Sequence, residues 1–179
     1  RILVDEPALV DRSLYHGILG VVAPGRSRRG QIASVLVRHD NTLAHPLNAL
    51  VDVALLDRID DPFHERRSMF RLAEPMLRTY ELLVAPNERV IEHRGARRLW
   101  GALRATVASR IYGPHFEQLA REWIAAHASE QTLGGLPNVV GPSSVGDPAS
   151  RRELEIDAVA VAGHRTLALG EAKWSTTPI

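Results

Sequence analysis

The sequence predicts an α/β chain, more closely α+β, built from a helical N-terminal part and a C-terminal part that ends in paired strands. Three observations carry this. Apolar residues recur at helical spacing from Leu14 to Ile124. Gly- and Pro-containing breaks divide that stretch into short segments. Near the C-terminus two runs alternate with the period of a half-buried strand, separated by the turn Ala162-Gly163-His164-Arg165.

Taken in order, Leu9–Val22 places Leu14, Ile18, Leu19 and Val22 on one helical face, and Ala23-Pro24-Gly25 ends it. Ser27 is the expected N-cap of a second short helix through Ile32, Val35 and Leu36. Asp40 or Asn41 caps a third, Thr42–Leu56, with Leu43, Leu47, Leu50, Val51 and Leu55 inward and Pro46 near its first turn. Asp57 to Pro62 reads as a turn between two strand-like runs, the second being Ser68–Leu72. Three short helices and a hairpin over residues 9–72 make a winged-helix arrangement.

Residues 73–112 read as a helical linker, with Met76, Leu77, Tyr80, Leu83 and Val84 on one face, then Leu99, Leu103, Val107 and Ile111 at spacing four. Gly113-Pro114 is the expected domain boundary. Beyond it, within 113–179, His115–His127 forms a helix with Phe116, Leu119, Trp123 and Ile124 inward. Residues 132–150, rich in Gly, Pro and Ser, are expected to be mostly loop, with a short strand near Asn138–Val140. Leu154–Val161 and Thr166–Trp174 form the closing hairpin.

Composition narrows the function classes. Hydrophobic content of 45% and charged content of 24% are ordinary for a globular domain. No apolar run is long enough for a membrane span and no leader pattern is visible. The chain opens on Arg1 without an initiator Met, which suggests a piece of a longer protein. With no cysteine, disulfide and thiolate chemistry are excluded, and a cytoplasmic setting is expected. A net charge of +1 argues against a chain coated in cations for nucleic acid, though not against a local basic stripe. Of 22 basic residues, Lys173 alone is a lysine. Lysine is a compact point charge where arginine is a planar fork, so its single use points to a position where arginine would not serve.

That lysine belongs to the constellation that carries chemistry. Glu171 and Lys173 stand two apart on an expected strand and share a face, and the hairpin brings Asp157 opposite them. Two converging carboxylates repel unless a cation lies between them. A hard divalent ion such as Mg²⁺ or Mn²⁺ takes oxygen ligands of this kind, with the Ala172 carbonyl as a further donor. It would polarise a phosphoryl oxygen and acidify a bound water. Lys173 would orient or deprotonate that water, or stabilise charge on the phosphate. The bland alternative is an exposed hairpin face with a cross-strand ion pair, worth less than about 1 kcal/mol.

Asp157 with Glu171-Ala172-Lys173 resembles the PD-(D/E)XK nuclease superfamily. More narrowly, Tyr15-His16-Gly17-Ile18-Leu19, Phe70-Arg71-Leu72-Ala73-Glu74-Pro75, Phe116-Glu117, Glu155-Ile156-Asp157 and Gly170-Glu171-Ala172-Lys173-Trp174 together resemble the C-terminal region of a family of prokaryotic AAA-type ATPases. The resemblance implies a P-loop ATPase domain N-terminal to this chain as partner, then a winged helix, then a restriction-endonuclease-like domain. It implies Asp157, Glu171 and Lys173 as catalytic residues, and Glu117, on the helix before the sheet, as a third metal ligand beside Asp157 and Glu171. His115 lies near enough in sequence to reach the same place. No GxxxxGK[ST] loop occurs here, so no ATP site is expected. The chain stops six residues after Lys173, so a truncated nuclease-like sheet is expected.

DNA is the expected macromolecular partner. Arg26, Arg28 and Arg29 precede the second helix, and Arg58, Arg66 and Arg67 lie in the wing, where they could meet phosphates. The presumed recognition helix, however, holds no Arg or Lys. Asn41, His45, Asn48 and Asp52 are its polar groups. A non-catalytic DNA- or protein-binding module, or an oligomerisation region, therefore stands beside the nuclease reading.

Overall fold

The computed structural model describes residues 11–93, 95–147 and 152–175, with the side chains of Glu65 and Arg66 left undescribed. It is an α+β protein. The described residues fall into two compact units, one within Arg1–Ile59 and Ser68–Ala105, the other within Asp60–Arg67 and Thr106–Ile179. The helical segment after residue 73 thus groups with the N-terminal unit as far as Ala105.

In the first unit, α1 (Arg12–Val22) begins at Asp11, whose carboxylate accepts the Leu14 amide at 3.1 Å. It buries Tyr15, Ile18, Leu19 and Val22. Arg28, rather than Ser27, is the N-cap of α2 (Arg29–Val35), which buries Ile32 and Ala33 and leaves Val35 exposed, contrary to the sequence expectation. A 3₁₀ turn (Asp40–Leu43) leads into α3 (Ala44–Asp52), where Leu47 and Leu50 reach the same core as Leu43. β1 (Leu56–Asp61) and β2 (His64–Leu72) form the hairpin, of which Asp60–Arg67 belongs to the second unit. Leu56, Phe70 and Leu72 close the core from the strands.

The expected third helix overran its true end. It stops at Asp52, with Ala54 at φ 55°, the Ala54 amide donating to Val51 and the Leu55 amide to Leu50. α2 stops the same way, with Val37 at φ 53° and the Arg38 amide donating to Ala33. Both are left-handed helix stops of the Schellman kind, made without glycine. Released from the helix, Leu56 to Asp61 becomes strand instead of turn.

After β2, α4 (Pro75–Thr79) runs into a π turn (Tyr80–Val84) and a 3₁₀ turn (Ala85–Asn87), followed by α5 (Glu88–Glu92) and α6 (Ala96–Val107). Leu77 and Leu83 are buried, whereas Met76 and Tyr80 of the expected apolar face are exposed.

In the second unit the expected break at Gly113-Pro114 does not occur. A π turn (Ala108–Tyr112) passes directly into α7 (Gly113–His127), with Pro114 in the first turn of that helix. The wider loop of a π turn is a place where the missing proline N–H does little harm. α8 (Glu130–Leu133) ends at Gly134, which has φ 69°.

Three antiparallel strands follow in the order β3 (Val139–Asp147), β4 (Arg152–Ala162) and β5 (Arg165–Gly170). Ala158, Val159, Ala160 and Val161 of β4 are buried, as are Val107 and Ile111 elsewhere in the unit. The Gly/Pro-rich stretch expected as loop is largely β3. It accommodates Pro142 at a bulge, where the register with β4 shifts between Gly141 and Ser143.

Candidate functional site

β4 and β5 pair as Ala160↔Ala168, Val159↔Leu169 and Ala158↔Gly170. Continued by one step, this register would set Asp157 across from Glu171. The ladder ends at Gly170 instead, so Glu171 and Lys173 lie on a non-strand segment rather than on the strand expected from the sequence. What ties that segment down is Asp157 itself. Its Oδ2 accepts the amide of Ala172 at 2.9 Å. The carboxylate thus takes over where the backbone ladder stops, and seats Glu171-Ala172-Lys173 beside β4.

The other side of Asp157 is held from α7. Arg121 Nη1 donates to the Asp157 carbonyl at 2.6 Å. Between Gly141↔Val159 and Ser143↔Ile156 the ladder sets Pro142 of β3 against both Asp157 and Ala158, so the extra residue lies on β4, and Pro142 has no N–H to offer that carbonyl. Glu117 stands one turn before Arg121 on the same helical face and is half-buried. His115, at the start of α7, has a buried Nδ1 without a hydrogen-bond partner among the described residues.

Lys173 Nζ and Glu171 Oε1 form an ion pair of 2.8 Å. Both side chains are mostly exposed. As hydrogen-bond acceptor first and as charge second, Glu171 holds the Lys173 ammonium above its ordinary value of 10.5, with a smaller push from Asp157. Lys173 is therefore a cation at neutral pH, suited to orienting or neutralising an anion rather than to removing a proton. Among the described residues, no three His, Asp or Glu side chains gather closely enough to hold a metal ion. Asp157, Glu171 and Lys173 share one neighbourhood. Glu117 shares its helical face with the arginine that anchors Asp157, and completes no ligand triad in this conformation.

Trp174 adds an aromatic contact to the same segment. Its ring meets Tyr112 at 5.6 Å and Phe116 at 5.8 Å, both edge-on. Phe116, Leu119 and Trp123, expected inward on α7, are exposed. The half-buried side chains of that helix are Pro114, His115, Glu117, Gln118, Ala120, Arg121 and Ile124. Arg121 of that face reaches the Asp157 carbonyl, a polar contact that the spacing of apolar residues does not register.

The expected DNA contacts are scattered in character. Arg29 pairs with Asp40 at 2.7 Å, and the hydrogen bond to that carboxylate raises its pKa. Arg28 is half-buried, while Arg26, Asn41, Arg58 and Arg67 are exposed, and the Arg66 side chain lies outside the described residues. Among the described residues no helix is long and apolar enough to cross a membrane.

The family model described as "DUF234: Archaea bacterial proteins of unknown function" matches residues 80–178, more than half of the chain. The chain belongs to the DUF234 family. The matched region contains α7, the three-stranded sheet and every residue of the Asp157 neighbourhood. No curated protein matches this DUF234 chain. Among solved structures, the PcaV transcriptional regulator from Streptomyces coelicolor, crystallised in complex with its natural ligand, is similar at 24% identity over 66% of this chain and 77% of that one, with a TM-score of 0.33.

Proposed function

We propose that the DUF234 region carries a PD-(D/E)XK-type phosphodiesterase centre acting on DNA, in a chain that serves as the accessory region of a P-loop ATPase. The observation that carries this reading is the Asp157–Ala172 contact, which gathers Asp157, Glu171 and Lys173 at the end of one hairpin. Glu171 and Asp157, with the Ala172 carbonyl, make an oxygen donor set of the kind Mg²⁺ or Mn²⁺ accepts. A divalent ion bound there would supply Lewis-acid activation of the phosphate and of a water. The chain's own part is positional. Arg121 and the bulge fix Asp157, Asp157 fixes the Ala172 amide, and Lys173 places a positive charge where the phosphate gains negative charge. Glu117, on the helix before the sheet, would be a further oxygen donor. The ATPase partner rests on the motif series from Tyr15 to Trp174.

A second reading is a non-catalytic DNA- or protein-binding module with an inert site. It is supported by Glu171 and Lys173 satisfying each other and by the lack of a third converging carboxylate among the described residues. Cleavage of plasmid and linear DNA by the full-length protein, with and without Mg²⁺ or Mn²⁺, separates the two. The nuclease reading expects divalent-dependent cuts that Lys173→Ala and Asp157→Ala each abolish. Binding of duplex without cutting, or cutting that survives both substitutions, sinks it.

A further inference from the structure

Asp61 lies at the tip of the β1–β2 hairpin, a place where a DNA-binding wing would present its end to solvent and phosphate. Its side chain is instead 1% exposed. One oxygen accepts Ser143 Oγ of β3 at 2.5 Å and the Phe63 amide at 3.0 Å, and the other meets His64 Nδ1 at 3.0 Å. Ser143 donates its hydroxyl to the carboxylate and no hydrogen bond joins it to His64, so the trio lacks the serine–histidine contact of a nucleophilic triad. A carboxylate taken out of water is tolerated only with its hydrogen bonds made, and here they are. Backbone packing agrees. A Cβ added at Gly141 would sit 2.8 Å from the Asp60 carbonyl and 3.1 Å from Pro62 Cδ, so β3 is hollowed at that point to take the tip.

We infer that residues 60–64 form an internal clasp with Asp61 as its keystone, built into the C-terminal unit rather than free to read a DNA groove. Charge supports this, since Asp60 and Asp61 are a poor pair to offer a phosphate backbone. Any duplex contact by this chain then falls to exposed arginines elsewhere and leaves the tip seated. Hydrogen exchange on the intact chain tests it. The Phe63 amide should exchange at least 100-fold more slowly than an unstructured amide, equally with and without a duplex oligonucleotide. Exchange at the unstructured rate, or a tenfold acceleration on adding duplex, overturns the clasp. Gly141→Ala should unseat the tip, raising Phe63 exchange while changing duplex affinity less than twofold, and a tenfold affinity loss would place the tip in the DNA surface. Ser143→Ala, which removes one hydrogen bond and adds no atoms, gives the same readout should the glycine variant fold poorly.

Discussion

Asp157 and Ala172 meet across the end of the β4–β5 hairpin, side-chain carboxylate to backbone amide, at 2.9 Å. Removing that acceptor should release the segment that carries Glu171 and Lys173. Asp157→Ala is expected to cost about 1.5–3 kcal/mol of stability, the range for a hydrogen bond to a charged group. Asp157→Asn, whose amide oxygen still accepts, should cost less. Chemical denaturation of both variants checks this, and equal losses would refute a capping role.

Lys173 gives a pH prediction with a definite sign. Its pKa is raised by Glu171, so the pair's contribution to folding is fully present below the unfolded value of 10.5 and fades as pH climbs through the higher folded value. Between neutral pH and about pH 9 the pair should therefore impose no slope on stability. Since the chain has one lysine, its side-chain NMR resonance is unambiguous. Glu171→Gln should bring the titration midpoint back toward 10.5, and an unchanged midpoint would exclude Glu171 as the cause.

Val37 is a β-branched residue at φ 53° with 89% of its surface exposed. A left-handed conformation costs such a residue about 1–2 kcal/mol, and no packing there offsets it. Val37→Asn or Val37→Gly is expected to stabilise the chain by about 1 kcal/mol. A thermal midpoint that drops for both would contradict the strained stop.

Trp174→Ala should loosen the ring cluster with Tyr112 and Phe116. Edge-on aromatic pairs contribute about 0.5–1.5 kcal/mol each beyond their area, so a loss of roughly 1–3 kcal/mol is expected. Trp174→Phe should recover most of it, as measured by equilibrium unfolding.

Where local chemistry wrote the structure into the chain, the sequence was readable. Ile18, Leu19 and Val22 fall on the buried face that their spacing predicts, and Asp157 comes beside Ala172 because a short hairpin fixes its register. Legibility failed at positions decided by distant partners. The helix stop at Ala54 carries no glycine, so apolar spacing alone runs four residues past the end of α3 (Leu56 against Asp52) and leaves β1 looking like a turn. Pro142 and Gly141 look like loop residues until the bulge and the approach of Asp60 are seen. Phe116, Leu119 and Trp123 are exposed while Arg121 of the same helix reaches the Asp157 carbonyl, a contact 36 residues distant in sequence that hydrophobic spacing does not register.

Trp100, Trp123 and Trp174 are the chain's three indoles, and each leaves half or more of its surface in water. Native emission should already resemble that of solvated tryptophan, so denaturation will change its colour little. Backbone circular dichroism is the better monitor for every stability comparison above, and a blue-shifted native spectrum would signal that something else covers those rings in solution.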